Sequence, residues 1–433
     1  MPAPVPGTVP APAAPAPAAP DPAVPAPSGN PAPGADGARA AAAAAEAEAV
    51  RAGFLHPGGE RRLGRVLPAL ADALGAPVHP DGGAARAVLG LPTAERVCVV
   101  LVDGLGHLNL AERSGHAPFL RSLLAGSEPL VSTVPSTTAT AMGTFGTGEG
   151  PGRTAMLGYT VRDPGTGRLG NLVSWTDLPG PHAWQTVPGV LAGLAAAGVT
   201  TTSVGPARFA GSGLTEAALR GAEFVAAEGL DARVDAVARV LRRPGLAYLY
   251  WGEVDKAGHH HGWGSAAWGA ALEEVDAGLR ALVRRLPAGT LVVVTADHGM
   301  VDVDRALRWD AAADPRLAEG VELVAGEPRF LHLHTTPAAP GRPDVAGAVA
   351  ARWRDVLGEH AVVAERDAAV EAGWFGPVDA AVRPVVGDVV VAMAGRATVV
   401  DPATQSEASL ELVGVHGSRT PAEMLVPLLV VQA

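Results

Sequence analysis

The stretch that constrains this chain most is Leu291–Met300, LVVVTADHGM, a run of β-formers that stops at an Asp–His pair followed by glycine. A continuous apolar run bounded by turn residues fits a strand buried on both faces of a parallel sheet. A carboxylate and an imidazole at the carboxyl end of such a strand stand where open α/β sheets place ligands. Asp297 and His298 are both good donors to a divalent transition metal. A metal site needs more than two side chains, so the rest of the chain must supply the others.

From about Ala85 the sequence alternates between two periodicities. Val97–Val102, Val199–Val204 and Leu246–Trp251 read as strands, and Val131–Val134 as a short one. Ala117–Ala125, Thr138–Thr147, Pro188–Ala197, Leu230–Arg243 and Ala266–Leu286 read as helices. This alternation predicts an α/β fold, a three-layer α/β/α sandwich around a mainly parallel sheet. The pattern changes after about Trp309. Arg329–Thr335, Val345–Val356, Ala361–Val363, Asp367–Ala372, Asp388–Met393 and Ala397–Val400 read as a smaller inserted α+β cap. A last apolar strand is expected at Met424–Val431. The expected division is a core at 86–315, a cap at 316–404 and the end of the core at 405–433. Residues 1–85 are expected to be a disordered Pro/Ala-rich segment and linker, because its first part has too few large apolar groups to offset the entropy of ordering. Within it, Ala40–Ala49 reads as helical, and Arg65–Leu74 has helical spacing suited to packing on the core.

Composition narrows the function. The net charge of -11 disfavours binding to a nucleic-acid polymer or an anionic membrane surface. No stretch has the roughly 20 apolar residues of a membrane span, and no basic start leads into an apolar signal core. A cytoplasmic location is therefore expected. Cys98 is the single cysteine and lies inside an apolar run, so it reads as a buried small hydrophobe. Nothing in the sequence sets the oligomeric state.

Four segments carry chemistry. In VLVDGLG, Asp103 follows a strand; Asp before Gly is also ordinary turn chemistry. In VPSTTATAMGTFGTG, Ser136, Thr137 and Thr138 stand at a helix start, where a hydroxyl serves either as a cap or as a group facing an anion held by the helix amides. In YWGEVDKAGHHHG, Asp255 and His259 are four apart, so one helical turn points both at one ion. His260 or His261 can replace His259 in that role, and an exposed polar loop would explain all three. In GVHGSR, His416 sits between glycines that let backbone approach a ligand, or it is a solvated loop histidine. Together, Asp103, Asp255, His259, Asp297, His298 and His416 provide three carboxylates and three imidazoles, enough for two metals. Two cations roughly 3.5–4 Å apart can clamp the attacking and leaving oxygens of an in-line displacement. A hydroxyl beside them becomes a competent nucleophile. The expected reaction is displacement at phosphorus through a covalent phospho-threonine.

These ordered motifs, from about Arg96 to Val431, resemble the alkaline phosphatase superfamily, in particular its nucleotide pyrophosphatase/phosphodiesterase branch. The resemblance implies that Thr138 is the nucleophile. It implies one metal held by Asp103, Thr138, Asp297 and His298 and a second held by Asp255, His259 and His416. Zinc is the family's pattern for such mixed donors, and manganese or iron fits the same ligands. The implied activity is hydrolysis of a small-molecule phosphate ester, most simply a diester or pyrophosphate. A phosphomonoesterase, a phosphonate hydrolase or a phosphoryl mutase of the same superfamily would carry the same ligands, as would a catalytically inactive binding relative.

The chain departs from the branch in two places, and it also lacks a motif of another branch. The Asn that holds a phosphoryl oxygen is missing from TAMLGYT, where Tyr159 is the nearest donor by count. The aromatic residue and the Asn that follow the nucleophile are Ala139 and Ala141 here. The arginine-bearing sulfatase motif is absent. Lys256, the only lysine, lies between two proposed ligands and is a candidate for touching an anionic substrate. Arg153, Arg162 and Arg208 are equal candidates. His332 and His334 share one face of a strand and are expected to be exposed cap residues. Trp263 and Trp268 are expected to pack.

Overall fold

The computed structural model describes residues 35–338 and 344–433. The first 34 residues of the Pro/Ala-rich segment lie outside them. The central sheet has six strands in the order Leu429–Gln432, Leu291–Thr295, Arg96–Val102, Gly245–Trp251, Thr201–Gly205 and Glu223–Ala226. All pair in parallel except Leu429–Gln432, which runs antiparallel to Leu291–Thr295. The expected α/β architecture with a mainly parallel sheet is the one observed.

Two groups of helices pack on this sheet. Leu230–Val240, Ala266–Arg285 and Pro118–Leu124 form one; Val66–Ala73, Gly82–Leu89, Thr138–Thr147 and Val190–Ala196 form the other. Ala266–Arg285 shows how sequence sets such a helix. Ser265 caps its start by accepting the Trp268 N–H at 3.1 Å, and Arg284 and Arg285 complement the dipole at its end. Trp268, Leu272, Val275, Leu279 and Leu282 recur every three or four residues and are buried, each stabilising the fold by roughly 1.5–3 kcal/mol.

Strand register builds the site. Val102 lies opposite Trp251 and Leu101 opposite Thr295. The carboxyl ends of three neighbouring strands are therefore level. Asp103, Asp255 and Asp297, which follow them within a few residues, emerge at one edge of the sheet.

A second sheet of six strands, antiparallel throughout, runs Ala361–Glu365, Val389–Met393, Phe330–Thr335, Val321–Glu327, Thr160–Arg162 and Leu169–Asn171. The helix Val345–Leu357 packs against it through buried Trp353. Its last two strands precede the expected insertion at 316–404, so that sheet is not built from one contiguous segment. The described chain from Gly37 onward forms one compact unit.

The structure corrects several expectations. Residues 37–85 are not a disordered linker. Leu63, Val66, Leu67 and Leu70 are fully buried in the main core. The helix Ala35–Arg51 buries Ala42, Ala45 and Ala49. Alanine is the best helix former, and a stripe of it lets a helix pack closely, which a composition argument based on large apolar residues overlooks. The final strand is broken at Pro427, which has no N–H for a ladder bond, leaving Leu425–Val426 and Leu429–Gln432. Val131–Val134 reduces to Leu130–Val131, paired with Leu425–Val426. His332 and His334 do share a face, but both are buried in a strand paired on each side. Burial pushes His332 down to about 3 and His334 down to about 4, so both imidazoles are neutral.

Candidate active site

Asp103 is held at the end of its strand by its N–H donating to Trp251 O at 2.9 Å. Gly104 then turns the chain at φ +70, and a Cβ there would lie 2.8 Å from Asp255. Only glycine allows both the turn and that approach. The Gly104 N–H donates to Asp297 Oδ1 at 3.1 Å, as does the His298 N–H at 3.0 Å. Asn109 fixes the loop beyond them. Its Nδ2 donates to Met300 O and its Oδ1 accepts from Met300 N, both at 3.2 Å.

Thr138 is the first residue of the helix Thr138–Thr147, after Thr137 in extended conformation. Its Oγ1 lies 3.2 Å from His298 Nε2. The Ser136 N–H donates to Gly417 O at 2.9 Å, and Ser136 Oγ to Ser418 O at 2.6 Å. The turn that precedes Thr138 and the His416 loop are thus joined. His416 Nδ1 lies 3.0 Å from Ser136 O, and His259 Nδ1 lies 2.7 Å from Gly414 O. Each contact turns Nε2 of its ring toward Asp255, at 4.0 Å and 3.2 Å respectively. The His298 and His416 rings stack 3.5 Å apart.

Two overlapping groups have donor atoms within 4.8 Å of one another: Asp255, His259 and His416, and Asp103, Asp255 and His298. Asp297 Oδ2 lies 3.5 Å from His298 Nε2, as does Asp103 Oδ1. Asp103 Oδ1, Asp255 Oδ1 and Asp297 Oδ2 are buried without a hydrogen-bond partner among the described residues. Buried carboxylate oxygens are normally paired or bound to a metal. The donor set therefore fits divalent cations. Burial, and then the neighbouring charges of Asp297 and Asp255, hold Asp103 well above the usual carboxylate range. Burial also opposes ionisation of Asp255, but His259, His416 and His298 bring it below that range. Burial disfavours protonation of His259, yet the Asp255 carboxylate raises it to about 8.

All seven proposed ligand and nucleophile residues, Asp103, Thr138, Asp255, His259, Asp297, His298 and His416, converge at this edge. Tyr159 lines the cavities beside it. Lys256 does not join them: it is exposed, 3.5 Å from Glu253, on a separate surface depression. Of the three arginines, Arg153 pairs with Glu149 at 3.1 Å, and Arg208 alone lines a cavity that reaches Thr138. Sequence reasoning did not find Tyr250, whose hydroxyl donates to Asp103 Oδ2 at 2.5 Å, or Asn109. The alternation in LAYLYWG was enough to turn Tyr250 and Tyr248 to the same face, but nothing in it marks a contact with Asp103.

Two cavities meet at the site, of about 470 and 540 Å³. The smaller contains Thr138, Asp103 and Asp255; the larger runs under the second sheet past Glu327 and Asp401. Thr137, Tyr159, His259 and His416 border both. Residues 97–419 match the model of the type I phosphodiesterase / nucleotide pyrophosphatase family. The chain belongs to that family. Its members are metal-dependent phosphoric ester hydrolases. A search of curated protein sequences finds no match. Among solved structures, murine ectonucleotide pyrophosphatase/phosphodiesterase 5 is similar with a TM-score of 0.60 at 16% identity, over 77% of this chain and 87% of that one. A second structure of the murine protein is an inactive threonine-to-alanine form in complex with AMP, with a TM-score of 0.59 at 16% identity over the same shares. Phosphonoacetate hydrolase from Sinorhizobium meliloti 1021, in complex with phosphonoformate, has a TM-score of 0.58 at 19% identity, over 78% of this chain and 90% of that one. At these identities the likeness is one of fold. No helix among the described residues is long and apolar enough to cross a membrane.

Proposed function

We propose that this family member is a two-metal phosphodiesterase of the nucleotide pyrophosphatase type, with Thr138 as its nucleophile. The observation that carries the reading is the Thr138 hydroxyl, 3.2 Å from His298 Nε2 at a helix start, beside three orphaned carboxylate oxygens. Asp103, Thr138, Asp297 and His298 would hold one divalent cation, and Asp255, His259 and His416 the other. Zinc is preferred, and manganese or iron suits the same donors. When bound, the cations supply positive charge that favours the alkoxide of Thr138 and stabilises the phosphoryl oxygens.

The protein's own groups do the rest. The contact of His298 Nδ1 with Gly299 O at 3.1 Å leaves Nε2 facing Thr138. The first turn of the nucleophile helix favours the phosphoryl anion. Thr138 Oγ forms a bond to phosphorus as the ester P–O bond breaks and the alcohol leaves. Water then cleaves the phospho-threonine and restores the hydroxyl. Cavities on two sides of the site suit the two organic arms of a diester. The inactive threonine-to-alanine form of the murine relative, bound to AMP, supports the roles given to threonine and to a small nucleotide-like ligand.

A second reading, phosphonate hydrolysis, is favoured by the fold similarity to phosphonoacetate hydrolase. The test is a panel of bis-para-nitrophenyl phosphate, para-nitrophenyl phosphate and phosphonoacetate, run with elemental analysis on wild type and Thr138→Ala. The expected result is preference for the diester and a loss of about a thousandfold or more in Thr138→Ala with a comparable metal content. Full turnover by a folded Thr138→Ala variant would refute the nucleophile, and fastest release from phosphonoacetate would favour the second reading.

A further inference from the structure

We infer that Arg208 is a specificity residue that binds an anionic group, a carboxylate or a further phosphate, on the substituent that stays attached to phosphorus. The inference rests on the phosphodiesterase reading above. It starts from one wall of the smaller cavity. The Tyr250 hydroxyl donates to Asp103 at 2.5 Å. The Phe209 ring meets Tyr250 edge-on, with centroids 5.5 Å apart. The Arg208 guanidinium lies over the Phe209 ring, 4.7 Å from its centroid. The three side chains form a platform that begins at a proposed metal ligand and ends in a cation. Stacking on a ring orients a guanidinium without using its N–H donors.

Those donors are free. Arg208 makes neither a hydrogen bond nor an ion pair among the described residues. Glu228, on the neighbouring turn, is instead engaged by the Ala207 N–H at 2.9 Å. Apart from the proposed metal ligands, Arg208 is the one charged residue among the described residues in the lining of this cavity. The remainder is apolar, aromatic or hydroxyl-bearing, as with Leu214, Phe224 and Ser203. The larger cavity offers no such cation. It carries Asp401 and Glu327, whose carboxyl burial pushes up to about 8 and so keeps mostly neutral at pH 7, and no lysine or arginine among the described residues. The two arms of a diester therefore meet different electrostatics, and an anionic arm is favoured only beside Arg208.

Geometry decides which arm that is. In an in-line displacement the leaving oxygen lies opposite the attacking one. The Arg208 cavity contains Thr138 and the larger cavity does not. The substituent over Phe209 and Tyr250 is thus on the nucleophile's side and stays on phosphorus, while the leaving group departs past Glu327.

The test uses para-nitrophenyl phenylphosphonate and its meta- and para-carboxy and para-phosphono derivatives, in which nitrophenolate is the leaving group. The zinc-loaded full chain is assayed for nitrophenolate release. In parallel, calorimetry measures its binding of phenylphosphonate and of the matching acids. Wild type is expected to favour at least one anionic derivative by about fivefold in kcat/KM and in affinity. The larger gain, with carboxylate or with phosphonate, identifies the preferred anion. Arg208→Gln is expected to bring the ratio to about one, with Arg208→Lys keeping part of it. A wild-type ratio of one, or an unchanged ratio in Arg208→Gln, overturns the assignment. If wild type hydrolyses none of the esters, the phosphodiesterase reading fails, and the calorimetric ratio alone still decides whether Arg208 binds the anion.

Discussion

Asp103→Asn is expected to stabilise the metal-free protein while weakening its gain from metal. Asp103 and Asp255 each offer a donor oxygen within 4.8 Å of the other. Two unit charges at that distance repel by about 3 kcal/mol at an effective dielectric of about 20. His259 offsets part of the Asp255 charge, so the expected net gain from neutralising Asp103 is about 1–2 kcal/mol. Asparagine is close in shape and leaves an oxygen for the Tyr250 hydroxyl. Its amide also replaces the orphaned Oδ1, so the substitution removes charge without opening a cavity. The pH dependence has a definite sign. A carboxyl raised in the folded state contributes stability that is full below its unfolded value, near 3.9, and is lost as pH rises through its folded value. Metal-free wild type should therefore lose stability on that rise, and Asp103→Asn should lose less. The assay is urea unfolding of chelator-treated and zinc-loaded protein across pH, with equal m-values required of both forms. Zinc at a thousandfold excess over Kd should add about 4 kcal/mol per site to wild type and less to the variant. A metal-free Asp103→Asn protein less stable than metal-free wild type at neutral pH would refute the view that this cluster is an uncompensated cation site.

Two further substitutions probe what holds the loops that carry the proposed ligands. Asn109→Ala removes both hydrogen bonds to the Met300 backbone and leaves those groups buried; about 2–4 kcal/mol of stability should be lost, and zinc content should fall in elemental analysis because the Asp297–His298 loop is no longer pinned. Glu46→Ala deprives buried Arg419 of its carboxylate partner at 3.2 Å and Trp374 Nε1 of its acceptor at 3.0 Å, but leaves the Leu55 carbonyl to accept from Arg419. The expected loss is about 2 kcal/mol in urea unfolding, and a change below about 0.5 kcal/mol would show that the N-terminal helix does not hold the His416 loop.

What was legible in the sequence followed from local rules. The strand at Leu291–Thr295 could be read because a run rich in β-branched residues stops just before the polar pair Asp297–His298. The juxtaposition of Asp255 and His259, proposed as a ligand pair, could be read because spacing of four is one helical turn, and the helix Glu253–His261 provides it. The meeting of Asp103 with Asp297 was not written in either segment. It depends on the level register of Arg96–Val102 with Leu291–Thr295, a property of pairing across nearly two hundred residues. Resemblance to a family supplied that link before geometry did.

What stayed illegible is of one kind: side chains whose role depends on a partner far along the chain. Tyr250 looks like any strand aromatic until its hydroxyl is found on Asp103. His332 and His334 alternate as an exposed edge would, but both are buried in a strand paired on each side, and His332 also meets Phe375. Arg208 could not be separated from Arg153 and Arg162 by sequence. Arg153 is satisfied by Glu149, whereas Arg208 is held over Phe209 with its donors free. The same asymmetry explains why the candidate donor cluster was easier to read than the substrate. Metal ligation restricts residue type to a few donors, so it leaves a pattern in the sequence. Substrate choice uses ordinary arginines, aromatics and carboxyls, and their meaning comes only from which cavity they share with Thr138.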